Sequence, residues 1–143
     1  MQFLKVVSVV FILTSLLNSC VKQKQVSKNI QMRDMMIRIS EIEVDSNYLE
    51  EYNSILKEEA EASVRLEPGV ISIYPMYQKD KPTQIRILEM YANRQAYEFH
   101  LKTPHFQKYK TTTLKMVKSL RLIDMEAIDA ETMPQIFSKL SIK

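Results

Sequence analysis

The chain has 143 residues, 45% of them hydrophobic and 26% charged, which is typical of one folded domain. Its single glycine, Gly69, excludes the nucleotide-binding loops that need several spaced glycines. One cysteine and two histidines are too few for a structural zinc site or an internal disulfide, so metal binding would have to rest on carboxylates.

The N-terminal residues have the pattern of a secretory signal. Lys5 precedes an uncharged run, Val6 to Leu17, that is shorter than the ~20 residues of a membrane-spanning helix. Leu17-Asn18-Ser19-Cys20 resembles the bacterial lipobox, in which the cysteine is acylated and becomes the first mature residue. We therefore expect residues 1–19 to be a signal peptide and Cys20 to anchor the protein in the bacterial cell envelope. An incidental buried thiol is the alternative.

Residues 20–34 are polar and lack apolar periodicity, which predicts a flexible tether. Residues 1–34 hold five basic side chains and one acidic side chain. Subtracting them from the totals of 20 and 17 leaves 15 basic and 16 acidic side chains in the folded part. The positive charge of the chain therefore belongs to its N-terminal segment. We expect no nucleic-acid partner, because the folded part lacks a basic excess.

The first half of the folded part predicts a strand, a helix and a hairpin. Ile37, Ile39, Ile42 and Val44 alternate with charged residues and predict a strand over 36–44. A helix is expected to begin at Asp45 or Ser46 and to run to about Leu66, where Glu67-Pro68-Gly69 stops it. Its apolar face comprises Leu49, Tyr52, Leu56, Ala60 and Ser63. Residues 70–77 and 83–91 predict two strands joined by the polar turn 79–82.

The second half predicts a broken helix and a last strand. Asn93 is a suitable helix cap, and Thr103-Pro104 marks a restart of the helix. Residues 119–125 predict the fourth strand, and residues 130–140 a short helix within a C-terminal extension, 129–143. The order strand, helix, strand, strand, helix, strand over 35–128 predicts a ferredoxin-like α+β fold.

Two of the predicted strands are apolar on both faces. The third strand has Ile85, Ile87 and Tyr91 on one face and Leu88 and Met90 on the other. The pattern of the second strand predicts the same arrangement, with Ile71 and Ile73 on one face and Val70, Tyr74 and Met76 on the other. Two helices cover only one face of a sheet, so a partner or ligand is needed for the second face. We therefore expect a homodimer that forms through the sheet.

The run from Glu89 to Phe106, EMYANRQAYEFHLKTPHF, resembles the signature stretch of the antibiotic biosynthesis monooxygenase family. Glu67-Pro68-Gly69 before the second strand is also similar to that family, and the resemblance spans about residues 36–125. It implies a dimeric α+β barrel with a pocket between sheet and helices. It also implies a cofactor-independent monooxygenase of quinol-like or polyphenolic molecules. Non-catalytic ligand binding, a structural envelope role and isomerisation of a small carbonyl compound are the alternatives.

His100 is the candidate general base, because an imidazole titrates near neutrality and the small Ala96 lies one helical turn before it. Aromatic side chains are candidates to line the pocket and stack on a substrate ring: Tyr74, Tyr91, Phe99, Phe106 and Tyr109. Arg86 is a candidate cation for a developing phenolate, or a partner of Glu41 or Glu89. No metal site is expected, because Glu41, Glu43 and Glu89 on a sheet without a nearby histidine are typical of a solvated face. The resemblance disfavours haem breakdown, since Tyr109-Lys110 and residues 38–40 differ from the haem-degrading relatives.

Overall fold

The computed structural model describes residues 32–139, so the predicted signal peptide, Cys20 and most of the tether lie outside the described residues. After a short 3-10 turn at Met32–Asp34, the elements are β1 (Met36–Val44), α1 (Leu49–Leu66), β2 (Val70–Gln78), β3 (Lys81–Tyr91), α2 (Arg94–His100), α3 (Pro104–Thr113), β4 (Val117–Met125) and α4 (Met133–Lys139). This order confirms the predicted ferredoxin-like α+β fold. Within the same range, no helix is long and apolar enough to cross a membrane.

The four strands form one antiparallel sheet in the order β2-β3-β1-β4. One face of the sheet, the helix face, packs against the helices. The other face, the open face, contributes no residue to the core cluster, although Met90 on this face is buried. The core joins strand and helix side chains: Ile42, Val44, Tyr52, Leu56, Ala60, Val70, Ile73, Ile85, Ile87, Tyr91 and Met116. Burial of this apolar surface supplies the main stabilisation of the fold.

Side-chain caps fix the start of the helical segments. The Asn93 side chain accepts a hydrogen bond from the Ala96 amide at 2.9 Å, which satisfies a free donor of the first turn of α2. The Thr103 hydroxyl accepts from the Phe106 amide at 3.4 Å, and Pro104 occupies the first turn of α3. The predicted break between the two helices is therefore confirmed.

The structure corrects the assignment of residues to faces in β2. Val70 and Ile73 are both buried on the helix face, although they are three residues apart. The pairing with β3 shifts between Val70 and Ser72, so a β-bulge inserts one extra residue at this point. The prediction that Val70 shares a face with Tyr74 is wrong, because strict alternation takes no account of a bulge.

The structure also reverses the alternation expected for β1. Arg38 and Ser40 are buried on the helix face, whereas Ile37 and Ile39 lie on the open face and are half-buried. Further along the strand Ile42 and Val44 fill the helix face in the ordinary way. Polar side chains therefore point toward the helices at one end of β1, and this is the end at which the candidate site lies.

Candidate active site

A cavity of about 410 Å³ lies between the helix face of the sheet and the helices α2 and α3. Its floor includes Ile42, Ile73 and Ile87 from three strands. Helical side chains on the opposite side are His100, Phe106 and Tyr109. Most of the wall is apolar, and a few ionisable groups converge on it, as is typical of small-molecule sites.

His100 is the last residue of α2 and is 3% exposed. Its Nδ1 lies 3.0 Å from Oε1 of Glu67, and its Nε2 lies 3.8 Å from Oε1 of Glu59. The Phe106 ring packs against the imidazole, with 4.6 Å between the ring centroids. The short contact at Nδ1 assigns the proton to that nitrogen, which leaves the lone pair of Nε2 free to accept a proton on the side of Glu59.

The loop after α1 holds Glu67 in place. The Oε1 atom of Glu67 also accepts a hydrogen bond from Nε2 of His105 at 2.5 Å. The buried Oε2 has no hydrogen-bond partner among the described residues. A Cβ atom on Gly69 would lie 2.5 Å from Cβ of Ala96, so only glycine lets this loop approach α2 closely. The single glycine of the chain therefore brings Glu67 beside His100.

Glu67, His100 and His105 offer three potential metal-ligand atoms within 4.8 Å of one another. No local sequence pattern predicts this group, because the two histidines lie 33 and 38 residues from the carboxylate along the chain. The distances of 3.0 and 2.5 Å from Oε1 to the ring nitrogens are hydrogen-bond distances. We assign the group as a hydrogen-bonded network in which one carboxylate orients two imidazoles.

Glu59 on α1 is a second buried carboxyl group, 4% exposed, and it lines the cavity. The Ser63 hydroxyl donates a hydrogen bond to its Oε1 at 2.6 Å. Burial raises the pKa of Glu59 above its ordinary value of 4.5, while the Ser63 hydrogen bond and the nearby imidazoles of His100 and His105 act in the opposite direction. The side chain therefore holds its proton at a higher pH than an exposed glutamate.

Glu89 on β3 lines the cavity as well, but both of its oxygens are engaged. The Ser40 hydroxyl donates to Oε1, and the Tyr91 hydroxyl donates to Oε2 at 2.9 Å. Burial raises the pKa of Tyr91, and it raises the pKa of Tyr109 to about 12. These two phenols consequently remain protonated near neutral pH, so they can donate hydrogen bonds but do not act as bases.

Arg38 provides the cationic end of the cavity. Its Nε donates to Oδ1 of Asp124 at 2.8 Å, and its guanidinium stacks on the Tyr97 ring at 4.7 Å from the centroid. The guanidinium is buried, whereas the carboxylate of Asp124 is largely exposed. The pairing with Asp124 therefore fixes Arg38 in the cavity wall, while the negative charge of Asp124 stays outside the cavity, close to solvent.

Four of the predicted site residues lie around the cavity: His100, Tyr91, Phe106 and Tyr109. Tyr74, Arg86 and Phe99 do not, and the substrate-binding positions predicted for them need correction. The register of β2 and β3 puts Tyr74 and Arg86 on the open face, where Tyr74 is 60% exposed and Arg86 pairs with Glu41 at 3.3 Å. Phe99 is 61% exposed because it lies on the outer side of α2.

The sequence analysis missed several polar members of the site: Arg38, Glu59 and Tyr97, together with the placement of Glu67 and Glu89. A signal for Glu59 was present. It lies three residues after Leu56 and four before Ser63, and therefore on the apolar face of α1. A charged residue on that face is unusual unless it has a partner or a function.

Fold and cavity together define a class of small α+β proteins, with a ferredoxin-like sheet, helices on one face, and a buried histidine beside an apolar cavity. Residues 35–112 match the family model described as antibiotic biosynthesis monooxygenase. The chain belongs to this family. No curated protein matches the sequence significantly.

Solved structures agree with this assignment. A candidate antibiotic biosynthesis monooxygenase from Bacteroides thetaiotaomicron is 48% identical over 69% of this chain and 94% of its own, with a TM-score of 0.69. A candidate monooxygenase from Lactobacillus acidophilus is 31% identical over 65% of this chain and 44% of its own, with a TM-score of 0.64. A similar protein from Nitrosomonas europaea, at 21% identity over 66% of this chain and 91% of its own, shares the fold with a TM-score of 0.63.

Proposed function

We propose that this protein is a cofactor-independent monooxygenase of a quinol-like or polyphenolic small molecule, with His100 as the general base. The observation that carries the proposal is the buried imidazole at the cavity wall, with Nδ1 held by Glu67 at 3.0 Å. A carboxylate at one ring nitrogen orients the other for proton abstraction, as in other histidine-based sites. The family name supports the reaction class.

The cavity suits a flat, largely apolar substrate. Its volume of about 410 Å³ falls within the ~300–1,000 Å³ of typical small-molecule pockets. Aromatic side chains of Tyr91, Phe106 and Tyr109 offer surfaces for stacking, and the Tyr109 hydroxyl offers a hydrogen-bonding group. We expect one substrate hydroxyl to lie beside Nε2 of His100, since a base must be within hydrogen-bond reach of the proton it removes.

Deprotonation is the step that the protein must assist. A phenolate is much richer in electrons than the parent phenol, and it can transfer an electron to dioxygen without a metal or flavin. General base catalysis of this kind contributes ~10²- to 10⁴-fold to a rate. The mainly apolar walls lower the local dielectric constant, which strengthens the electrostatic interactions within the cavity.

Oxygen uptake with a panel of hydroquinones tests the proposal. Wild-type protein is expected to consume dioxygen, and the rate of uptake by His100→Ala should be lower by a factor of at least about 100. Phe99→Ala is the matched control, because Phe99 is the exposed neighbour of His100 on α2. Uptake by wild type no faster than in buffer would contradict the proposal, and so would an undiminished rate in His100→Ala. Binding without uptake would favour the ligand-binding alternative, and a product of unchanged mass would favour an isomerase.

We also propose that two copies pair through the open face of the sheet. Ile37, Ile39, Leu88 and Ile123 share this face, and the partly exposed Met76 lies on the edge strand β2. A continuous apolar area of this kind supports association, since monomers rarely leave one in water. Sedimentation velocity should give a dimer for wild type and a monomer for Leu88→Arg. A monomeric wild type at micromolar concentration would contradict the pairing.

We further propose that Cys20 is acylated and anchors the domain to an envelope membrane, with residues 21–34 as a tether. The support is the lipobox-like sequence that ends in the only cysteine of the chain. Labelling of bacterial cells with a radioactive fatty acid should mark the wild-type protein and not Cys20→Ala. Equal labelling of the two proteins would overturn the anchor.

A further inference from the structure

We propose that Glu59 is a second catalytic residue, the acid that donates a proton to the peroxide formed when dioxygen adds to the substrate. This inference rests on the proposed monooxygenase function and assigns a step that His100 alone does not perform. The position of Glu59 supports the inference in two ways: its side chain lines the cavity, and its Oε1 lies 3.8 Å from Nε2 of His100. Two proton-handling atoms at this separation can reach neighbouring oxygen atoms of one bound molecule.

The other buried carboxyl groups are unsuited to this step. Glu67 does not line the cavity, and it contacts Nδ1 on the far side of the His100 ring. Glu89 lines the cavity, but Ser40 and Tyr91 each donate a hydrogen bond to it. Among the described residues, Glu59 is the cavity carboxyl group that adjoins Nε2 of His100.

Burial favours the protonated form of Glu59 in the resting site. The groups that act on its ionisation are His100 and His105, which favour the charged form, and Glu89, which disfavours it. Ser63 is a neutral partner on the same helix. A carboxyl group that keeps its proton until a cation forms beside it is suited to act as an acid. That cation is His100 after it has accepted the substrate proton.

The protons and electrons of the reaction balance as follows. His100 accepts a hydroxyl proton, and the resulting anion gives one electron to dioxygen; the two radicals then combine to form a carbon–oxygen bond. Glu59 donates a proton to the terminal oxygen of this peroxide, which becomes a hydroperoxide. Cleavage of the oxygen–oxygen bond releases hydroxide as the carbon–hydrogen bond at the same carbon breaks and a carbonyl forms. Glu59 regains that proton, and protonated His100 converts the hydroxide to water.

This sequence also accounts for the closeness of the two residues. After the peroxide is protonated, His100 is positively charged and Glu59 negatively charged, and 3.8 Å separates their nearest nitrogen and oxygen atoms. Opposite charges this close in a buried site stabilise each other strongly. The pair is neutral at the beginning and at the end of the cycle, so the site carries the two buried charges only while the intermediate exists.

The test is the coupling of dioxygen uptake to product formation in Glu59→Gln, with a hydroquinone that wild type oxidises. We expect the variant to take up dioxygen but to release it as superoxide, which yields hydrogen peroxide, and to form a quinone that lacks the added oxygen atom. Formation of the oxygenated product should fall about 10²-fold. Glu58→Gln is the matched control, because this neighbour undergoes the same chemical change on an exposed side chain.

Each outcome decides between the two proposals. Normal coupling and rate in Glu59→Gln would overturn the role of Glu59 and leave the monooxygenase proposal standing. Loss of all uptake in this variant would also overturn the role, because the acid acts after dioxygen has reacted. Glu59→Asp keeps a carboxyl group and should recover part of the coupling; no recovery would count against an acid. Absence of uptake in wild type would overturn both proposals.

Discussion

The two faces of the sheet differ in where they place polar side chains. At the end of the sheet beside α2, the helix face carries Arg38, Ser40 and Glu89, while the open face carries Ile37 and Ile39. Ordinary two-layer proteins show the reverse arrangement, with apolar groups under the helices. This inversion supports our proposals that the helix face holds the site of chemistry and that the open face is the surface for association.

The polar groups of the two faces also differ in their partners. On the open face Glu41 pairs with Arg121 and Arg86, in contacts that remain accessible to water. On the side of the helices, the buried carboxylate of Glu67 in the loop after α1 is held by two imidazoles. Accessible ion pairs contribute little to stability, typically ~0–1 kcal/mol each. Buried groups must be satisfied, so substitutions there have larger consequences.

The largest expected effect comes from removing the charge of Glu67. In Glu67→Gln the amide can donate a hydrogen bond to Nδ1 of His100, which would move the ring proton to Nε2 and remove the base. We expect kcat for hydroquinone oxidation to fall ~10²- to 10⁴-fold. Glu41→Gln, the same change on the open face, should leave kcat close to that of wild type. Equal kcat values in the two variants would show that orientation of His100 by Glu67 is unimportant.

An intermediate effect is expected from two adjacent residues of β3. Ile87 is buried on the helix face, so Ile87→Ala should lower the free energy of unfolding by about 2–5 kcal/mol. Leu88 is half-buried on the open face. Leu88→Ala should cost less in dilute solution, where we expect the proposed dimer to dissociate. Urea denaturation at several protein concentrations measures the free energy of unfolding of both variants. The loss of stability caused by Leu88→Ala should increase with protein concentration as dimers form. A concentration-independent cost for Leu88→Ala would contradict the assignment of the open face.

The smallest effect concerns the pH dependence of stability. Burial raises the pKa of Glu59, so the folded state keeps a proton that the unfolded state loses near pH 4.5. The contribution of Glu59 to the stability of wild type should therefore decline as the pH rises from 4.5 through the folded pKa of Glu59. Glu59→Gln lacks this ionisation and should gain stability relative to wild type over that range. A constant difference in stability between Glu59→Gln and wild type across that range would exclude the raised pKa.

The sequence predicted the elements well because their signals are local. The alternation of β1, the stop at Glu67-Pro68-Gly69 and the restart at Thr103-Pro104 all depend on neighbouring residues, and the structure confirms the elements that they predicted. The face of each side chain was less predictable. The bulge near Val70 changes which residues are buried and does not follow from local alternation. In β1, strict alternation puts Ile37 and Ile39 on the face opposite Ile42 and Val44, but it does not say which of these faces the helices cover.

The same distinction applies to the candidate site. The placement of His100 at the cavity agrees with the expectation from its position on the helix, whereas Tyr74 and Arg86 were misplaced because the strand register decides their direction. Glu59 and Glu67 meet His100 only once the fold has brought α1 and the loop after it beside the end of α2. Contacts between residues far apart in the chain leave no local pattern in a single sequence.

The most direct test of the account is a crystal structure of the protein with a hydroquinone bound. We predict that the ring lies in the cavity between α2 and the sheet, with one hydroxyl oxygen about 2.6–3.2 Å from Nε2 of His100. A ring bound on the open face, or a cavity that admits no ring while the protein still oxidises hydroquinones, would contradict the account.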